Sequence, residues 1–230
     1  MATLSYHEQK DIENIKKLRE LQKELPSFCS DFFRGIETST STRTRIAYAY
    51  DLKIFFQFLK TANPGTFDNP SHTLTPSDLE KLTVTDLEEY IDYLKCHPSD
   101  TNEDVINTER GLMRKVSSLR SFYSYFFRNE RIEKNPAALV RMPKLHEKEI
   151  IRLEIDEVAK LLDEVEEGDK LTEKQKLYHE RTKVRDLAMM SLLLGTGIRV
   201  SECVGLNIND IDLDTCGARV YRKGGKESVI

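Results

Sequence analysis

The sequence predicts a mainly α-helical N-terminal half followed by an α+β C-terminal half. Three observations carry that expectation. Apolar residues recur at helical spacing in two long stretches, Ala49, Leu52, Phe55, Phe56 and Leu59, then Leu112, Val116, Leu119, Phe122 and Phe126. A short alternating run, ARVYR, precedes the pair Gly224-Gly225, whose composition suits a hairpin turn. Between these regions lies NPAALVRMPKLHEKEI, a basic segment with Pro136 and Pro143 and no helical period.

Taken in order, residues 8–24 read as a helix that stops before Pro26, and the Ser/Thr cluster ahead of Arg43 supplies N-caps for the Ala49 stripe. TANPGTFDNPSHT reads as a loop. Thr75 with Pro76 and Asp78, and Thr83 with Asp86, read as helix starts, the second leading into LEEYIDYLK and ending near His97-Pro98. The Leu112 stripe shares its helix with a basic flank of Arg110, Arg114, Lys115 and Arg128. Val158, Leu161, Leu162 and Val165 mark another helix with acids in its first turn. EEGDKLTEKQKLYHERTK is expected as a charged surface excursion, and VRDLAMMSLLL as an apolar helix closed by Gly195. Gly197 then loosens the chain before a short helix, IRVSECVGL, and INDIDLD supplies turns. A strand at 218–222 with only the start of a returning strand at Ser228 would leave hydrogen bonds unpaired, so the chain reads as cut short. The expected division is an N-terminal helical extension at 1–27, a helical domain at 28–140, a linker at 141–152 and a partial second domain at 153–230.

At 230 residues and 26.6 kDa the chain fits one large domain or two modest ones, and 39% hydrophobic with 32% charged residues marks a globular protein. No apolar run approaches the ~20 residues of a membrane span, and the N-terminus lacks an apolar signal core. Cys29, Cys96, Cys203 and Cys216 stand singly, which excludes a readable zinc site and makes a reducing cytoplasm the expected location. The net charge of −4 hides a division: residues 85–104 carry net −6 and residues 105–152 net +6. A chain that is acidic on average can therefore still offer one basic face to phosphate.

The chemistry-bearing cluster is Gly195-Thr196-Gly197-Ile198-Arg199-Val200-Ser201-Glu202, followed by Leu206 and Asp210, then Lys223-Gly224-Gly225-Lys226. A guanidinium is planar and permanently charged and can grip two phosphate oxygens. At a helix start after a Gly turn it shares its site with free backbone N–H groups that favour anions. A lysine in a turn beside it can protonate a leaving oxygen. Taken singly, Arg199 reads as a helix-terminal arginine paired to Glu202 or Asp210. Arg185-Asp186 reads as a structural pair; Tyr48, Phe122 and Tyr123 as core; Tyr221 as a cross-strand packing residue; His146 and His179 as surface histidines.

The arginine cluster joined to the Lys223 turn resembles the tyrosine recombinase (phage integrase) family, and within it the Xer-type recombinases. The resemblance runs from about residue 28 to 230. It also rests on Thr44, Tyr48, Asp51 and Leu52, on SSLRSFYSYFFRN around Arg120, on Asn135-Pro136 with Pro143-Lys144, and on VRDLAMMSLLLGTGIRVSECVGL. It implies that residues 28–140 form a SAM-like helical core-binding domain clamping one face of duplex DNA, with Arg43, Thr44, Arg45, Arg110, Arg114, Lys115 and Arg120 as contacts. It implies that the remainder begins a catalytic domain in which Arg199 and Lys223 are catalytic and Glu202 supports Arg199. Lys226 remains the alternative to Lys223.

The implied reaction is strand cleavage and rejoining through a 3′-phosphotyrosyl link by a homotetramer on DNA, with no metal and no cofactor. Glu154 stands where a capping Ser or Thr usually opens the family's first catalytic-domain helix. The family's histidine-x-x-arginine box, a further histidine or tryptophan, and a nucleophilic tyrosine near the C-terminus have no match here, so no nucleophile is assigned. The rival reading is a non-cleaving DNA-binding module or dominant-negative subunit. The third, a helical transcription regulator, accounts for neither Arg199 nor Lys223.

Overall fold

The computed structural model describes residues 4–99, 101, 103–146, 149–222 and 226–230. The chain divides into two compact units, Glu8–Glu147 and Lys148–Ile230 with Met1–His7.

The first unit is helical. In chain order it holds α1 (Tyr6–Lys23, whose first two residues fall outside the unit), α2 (Cys29–Gly35), α3 (Thr42–Ala62), α4 (Pro64–Phe67), a 3₁₀ helix (Pro76–Lys81) and α5 (Val84–Lys95). A small hairpin, β1 (Cys96–Pro98) with β2 (Asp104–Ile106), leads into α6 (Glu109–Arg128) and a 3₁₀ turn (Pro136–Ala138). The caps are those the sequence supplies. The Ser41 hydroxyl accepts from the Thr44 N–H at 3.2 Å to open α3, Thr83 with Asp86 forms a capping box on α5, and Thr108 accepts from the Gly111 N–H to open α6.

The two predicted stripes meet. Phe55, Phe56 and Leu59 of α3 and Val116, Leu119, Phe122 and Phe126 of α6 lie in one core with Phe28, Phe32 and Phe33. Phe122 is fully buried, edge-on to Phe32 at 5.2 Å and to Phe126 at 5.1 Å between ring centroids. A side chain of this size contributes about 1.5–3 kcal/mol by burial, and each edge-to-face pair adds about 0.5–1.5 kcal/mol.

Several expectations are corrected here. Leu18 and Leu21 of α1 and Leu25 after it are buried in this core, so residues 8–27 build the first unit rather than extend from it. The unit ends at Glu147, inside the expected linker. Asn63 and Pro64 turn part of the expected loop into α4, because a proline in the first turn has no N–H to lose. The Thr75 start opens a 3₁₀ helix rather than an α-helix.

The second unit holds α7 (Ile155–Glu167), α8 (Glu173–Thr196), α9 (Val200–Val204), a 3₁₀ turn (Ile208–Asp210) and the strands β3 (Ile211–Asp212), β4 (Gly217–Arg222) and β5 (Lys226–Val229). The strands form one antiparallel sheet in the order β3-β4-β5, with Arg222 opposite Lys226 and Arg219 opposite Val229. β4 is thus paired on both sides, which corrects the expectation of an unpaired half-hairpin. Ile198, Cys203 and Val220 make the buried centre, with Met189, Leu192, Leu193, Leu206 and Ile230 packed around it.

Most of the expected surface excursion is helical. α8 starts at Glu173 and is laced by ion pairs such as Lys176–Glu173 and Lys183–Glu180. Its C-cap is Gly197, not Gly195: Gly197 takes φ 66° and its N–H donates to the Leu193 carbonyl at 2.9 Å. His179 is no idle surface histidine, since its Nε2 bonds the Val165 carbonyl of α7 at 2.8 Å.

Candidate functional site

Two places gather the residues singled out by chemistry, one in each unit. In the first unit, α3 and α6 run side by side in the same direction, for Arg114 meets Ala47 and Asp51 near one end and Phe122 meets Phe56 further along. Their N-termini therefore lie at the same end, where unpaired N–H groups and helix dipoles favour negative charge. Arg43 sits on the second residue of α3 and Arg110 on the second of α6, both exposed. Arg114 lies one turn beyond Arg110, on the same face of α6. Its side chain is 44% exposed, and its Nη1 donates to the Asp51 carboxylate and to the Ala47 carbonyl.

The other expected contacts are turned inward or occupied. Arg45 is buried and its Nη1 donates to Glu37 at 2.7 Å. Lys115 is buried and its Nζ donates to the Asn107 side-chain oxygen at 2.7 Å, while Asn107 donates to the Leu94 carbonyl. Burial pushes the Lys115 ammonium below its ordinary range, against the pull of the Asp51 charge. Arg120 donates through Nε to the Ala137 carbonyl and through Nη2 to those of Ala138 and Val140, tying the Pro136 turn to α6. Thr44 is spent on the α3 cap, its hydroxyl 3.0 Å from that of Ser41. Of the seven residues expected to meet DNA, Arg43, Arg110 and Arg114 are the arginines left exposed.

Asp51 is the residue sequence reasoning passed over as chemistry. It is 2% exposed, between α3 and α6. Burial pushes its carboxyl up, while Arg114, Lys115 and Ser118 pull it back. The available signal was an acid lodged in the apolar stripe that includes Leu52 and Phe55.

In the second unit, the left-handed turn at Gly197 lets the chain reverse from α8 into α9, and Arg199 becomes the residue that opens α9. Ile198 and Cys203, both buried, fix this turn against Val220 of β4. Glu202 is the orienting group: its Oε2 accepts the Arg199 N–H at 2.9 Å and its Oε1 accepts Arg199 Nη1 at 2.8 Å. The Glu202 side chain is 5% exposed and that of Arg199 is 66% exposed, so the acid sits inside and the cation faces out. These two Arg199 bonds, with the Arg222 charge beyond them, hold the Glu202 carboxyl below its ordinary range.

α9 packs on β4, whose last residue is Arg222. Lys223, with Gly224 and Gly225, lies outside the described residues. Lys226 opens β5 and is exposed. Tyr221 stands across from Glu227 of β5 and is 40% exposed. Arg185 pairs with Asp186 at 2.7 Å, as expected.

No helix among the described residues is long and apolar enough to cross a membrane. No group of three or more His, Cys, Asp or Glu among them could hold a metal ion.

Comparison with known proteins agrees with this arrangement. The phage integrase family profile matches residues 151–230. Tyrosine recombinase XerC of Caldanaerobacter subterraneus subsp. tengcongensis is 35% identical over 214 residues, covering 89% of this chain and 54% of the relative. Tyrosine recombinase XerS of Streptococcus uberis is 31% identical over 241 residues, covering 94% of this chain and 66% of the relative. Tyrosine recombinase XerC of Leptospira interrogans is 29% identical over 197 residues, covering 85% and 53%. The chain spans about half to two thirds of the length of these curated relatives. With a helical first unit and an Arg199–Glu202 turn in the matched region, residues 151–230 belong to the phage integrase family, and the chain is similar along most of its length to tyrosine recombinases of the Xer type.

Proposed function

We propose that this chain supplies the DNA-binding unit and the first part of the catalytic unit of a site-specific tyrosine recombinase. The observation that carries the reading is the Arg199 turn: an exposed guanidinium fixed by a buried carboxylate at a helix start. One Nη1–H is committed to Glu202, which leaves the outward N–H groups in a fixed plane for two phosphate oxygens. Phosphoryl transfer gains mainly from positioning and charge stabilisation, so cations held in place can do this work without a metal. Lys223 is proposed as the proton donor to the leaving 5′ oxygen, with the nucleophilic tyrosine on polypeptide beyond residue 230. The link formed would be 3′-phosphotyrosyl, and its phosphodiester energy would be kept for rejoining. Partners on this reading are duplex DNA and three further copies of the protein. The intact protein would then be an enzyme working on DNA inside the cell.

In the first unit we assign phosphate contact to Arg43, Arg110 and Arg114. Arg45, Lys115, Arg120 and Thr44 hold the helices and the Pro136 turn in place. The test is direct binding of residues 1–230 to a mixed-sequence duplex. Arg43→Glu with Arg110→Glu should weaken binding alike on unrelated sequences, as phosphate contacts do. Unchanged binding by that double variant would refute the assignment.

A further inference from the structure

A carboxylate beneath a surface meant for phosphate is an electrostatic liability. Asp51 is 2% exposed and accepts a hydrogen bond from the Arg114 guanidinium. Buried ion pairs are weak stabilisers, and an apolar pair of similar volume often serves a core as well. The geometry offers a different use. The Arg114 guanidinium has one edge drawn inward, where Nη1 donates both to Asp51 and, at 3.3 Å, to the Ala47 carbonyl. The side chain is nevertheless 44% exposed. The neighbouring cation Lys115 turns inward to Asn107 and adds its field to Asp51. Arg110, one turn earlier on α6, is exposed.

We propose that Asp51 is a positioning residue for DNA contact: it clamps the inner edge of Arg114 so that the outer N–H groups are already aimed when a DNA phosphate arrives. This rests on the reading of the first unit as the DNA-binding unit. Pre-ordering spares the loss of side-chain freedom that a mobile arginine pays on binding. It also predicts a sign that plain electrostatics does not. Removing a negative charge next to phosphates should tighten binding if only charge mattered. Removing the clamp should weaken it.

The experiment is fluorescence anisotropy of the 230-residue chain with a 30-base-pair mixed-sequence duplex, at salt between 50 and 200 mM. Arg114→Ala should flatten the slope of log K against log salt by about 0.9, as when one phosphate is no longer neutralised, or about 3.5-fold over that fourfold salt range. Asp51→Asn should weaken binding by about threefold or more at low salt despite its added net positive charge. In the Arg114→Ala background the same change should alter affinity by less than about twofold, since the two act as one unit. Asp51→Asn binding as tightly as the parent, or more tightly, overturns the proposal; so does an equal loss in both backgrounds, which would mark Asp51 as merely structural. If Arg43→Ala and Arg110→Ala weaken binding and Arg114→Ala does not, the DNA-binding reading stands and the role of Asp51 falls. If the parent chain binds no duplex at any salt, the DNA-binding reading itself fails, and Asp51 with it. Should Asp51→Asn not fold, the Arg114 Nε–H order parameter in the DNA-free parent decides: rigid supports the clamp, and mobility equal to that of Arg110 overturns it.

Discussion

Arg199 divides its guanidinium between two directions, Glu202 inside and solvent outside, and the consequence for chemistry is specific. In residues 1–230 joined to the C-terminal segment of the Caldanaerobacter relative, Arg199→Lys keeps the charge but loses the planar grip. Strand cleavage should fall by about 10²–10³-fold, as for one lost transition-state donor. Lys223→Ala should be largely restored by a substrate with a 5′ thiolate leaving group, which departs without a proton, whereas Arg199→Lys should not. Equal rescue of both, or rescue of Lys226→Ala in place of Lys223→Ala, would undo the role assignment. Asp78 gives a pH test of the first unit. Burial pushes its carboxyl up, but Lys81, the Thr75 N–H, His72 and the Thr75 hydroxyl outweigh it and bring it down to about 2. A carboxyl held low when folded contributes stability that is present above its unfolded value near 3.9 and is lost as pH falls toward 2. The melting difference between the parent and Asp78→Asn should therefore shrink from pH 5 to pH 2. A difference constant over that range would contradict the assigned contacts. Of the residue-scale features, the Arg199–Glu202 pair was legible because both members lie within one helical turn. The Asp51–Arg114 pair was not, because its members stand far apart in the chain and only the packing of α3 on α6 brings them together.

At the scale of elements, periodicity was the legible signal and its absence the source of error. The α3 and α6 stripes form and meet as their spacing predicts, so Phe122→Ala should cost about 3–5 kcal/mol in chemical denaturation. A loss below about 1 kcal/mol would mean that Phe122 is not the core centre its burial indicates. The first half of α8 carries no apolar stripe. It is helical through good helix formers and side-chain pairs three residues apart, which a search for amphipathic period does not see. The β1–β2 hairpin has three residues in each strand, too few for alternation to show. Gly197 was read as a loosening of the chain, and it is the left-handed cap that delivers Arg199. Among the described residues a Cβ there would meet no atom within 4 Å beyond its own chain neighbours and helix backbone, so the cost of Gly197→Ala is backbone strain alone. We expect about 1–2 kcal/mol, measured by urea unfolding of the 230-residue chain. A larger loss would point to a contact the geometry does not show.

At the scale of the whole molecule, the two units differ in how they are held. The first has an aromatic core reaching from Leu18 to Val140, whereas the buried apolar centre of the second is Ile198, Cys203 and Val220. Charge is divided as well, with the acidic stretch centred on α5 and the hairpin, and the basic stretch on α6 and the segment after it. This division was readable in the sequence, but not which cations face outward. Arg45 and Lys115 look identical to Arg43 and Arg110 until the helices pack. On the proposed reading, Arg43, Arg110 and Arg114 make the end of α3 and α6 a phosphate-binding surface. The salt dependence of duplex binding by the 230-residue chain tests it most directly. Affinity should fall steeply as salt rises, and replacing the three arginines by alanine should flatten the slope by about 2.7, at about 0.9 for each arginine removed. A slope near zero for the parent chain, or one unchanged in the triple variant, would contradict the claim.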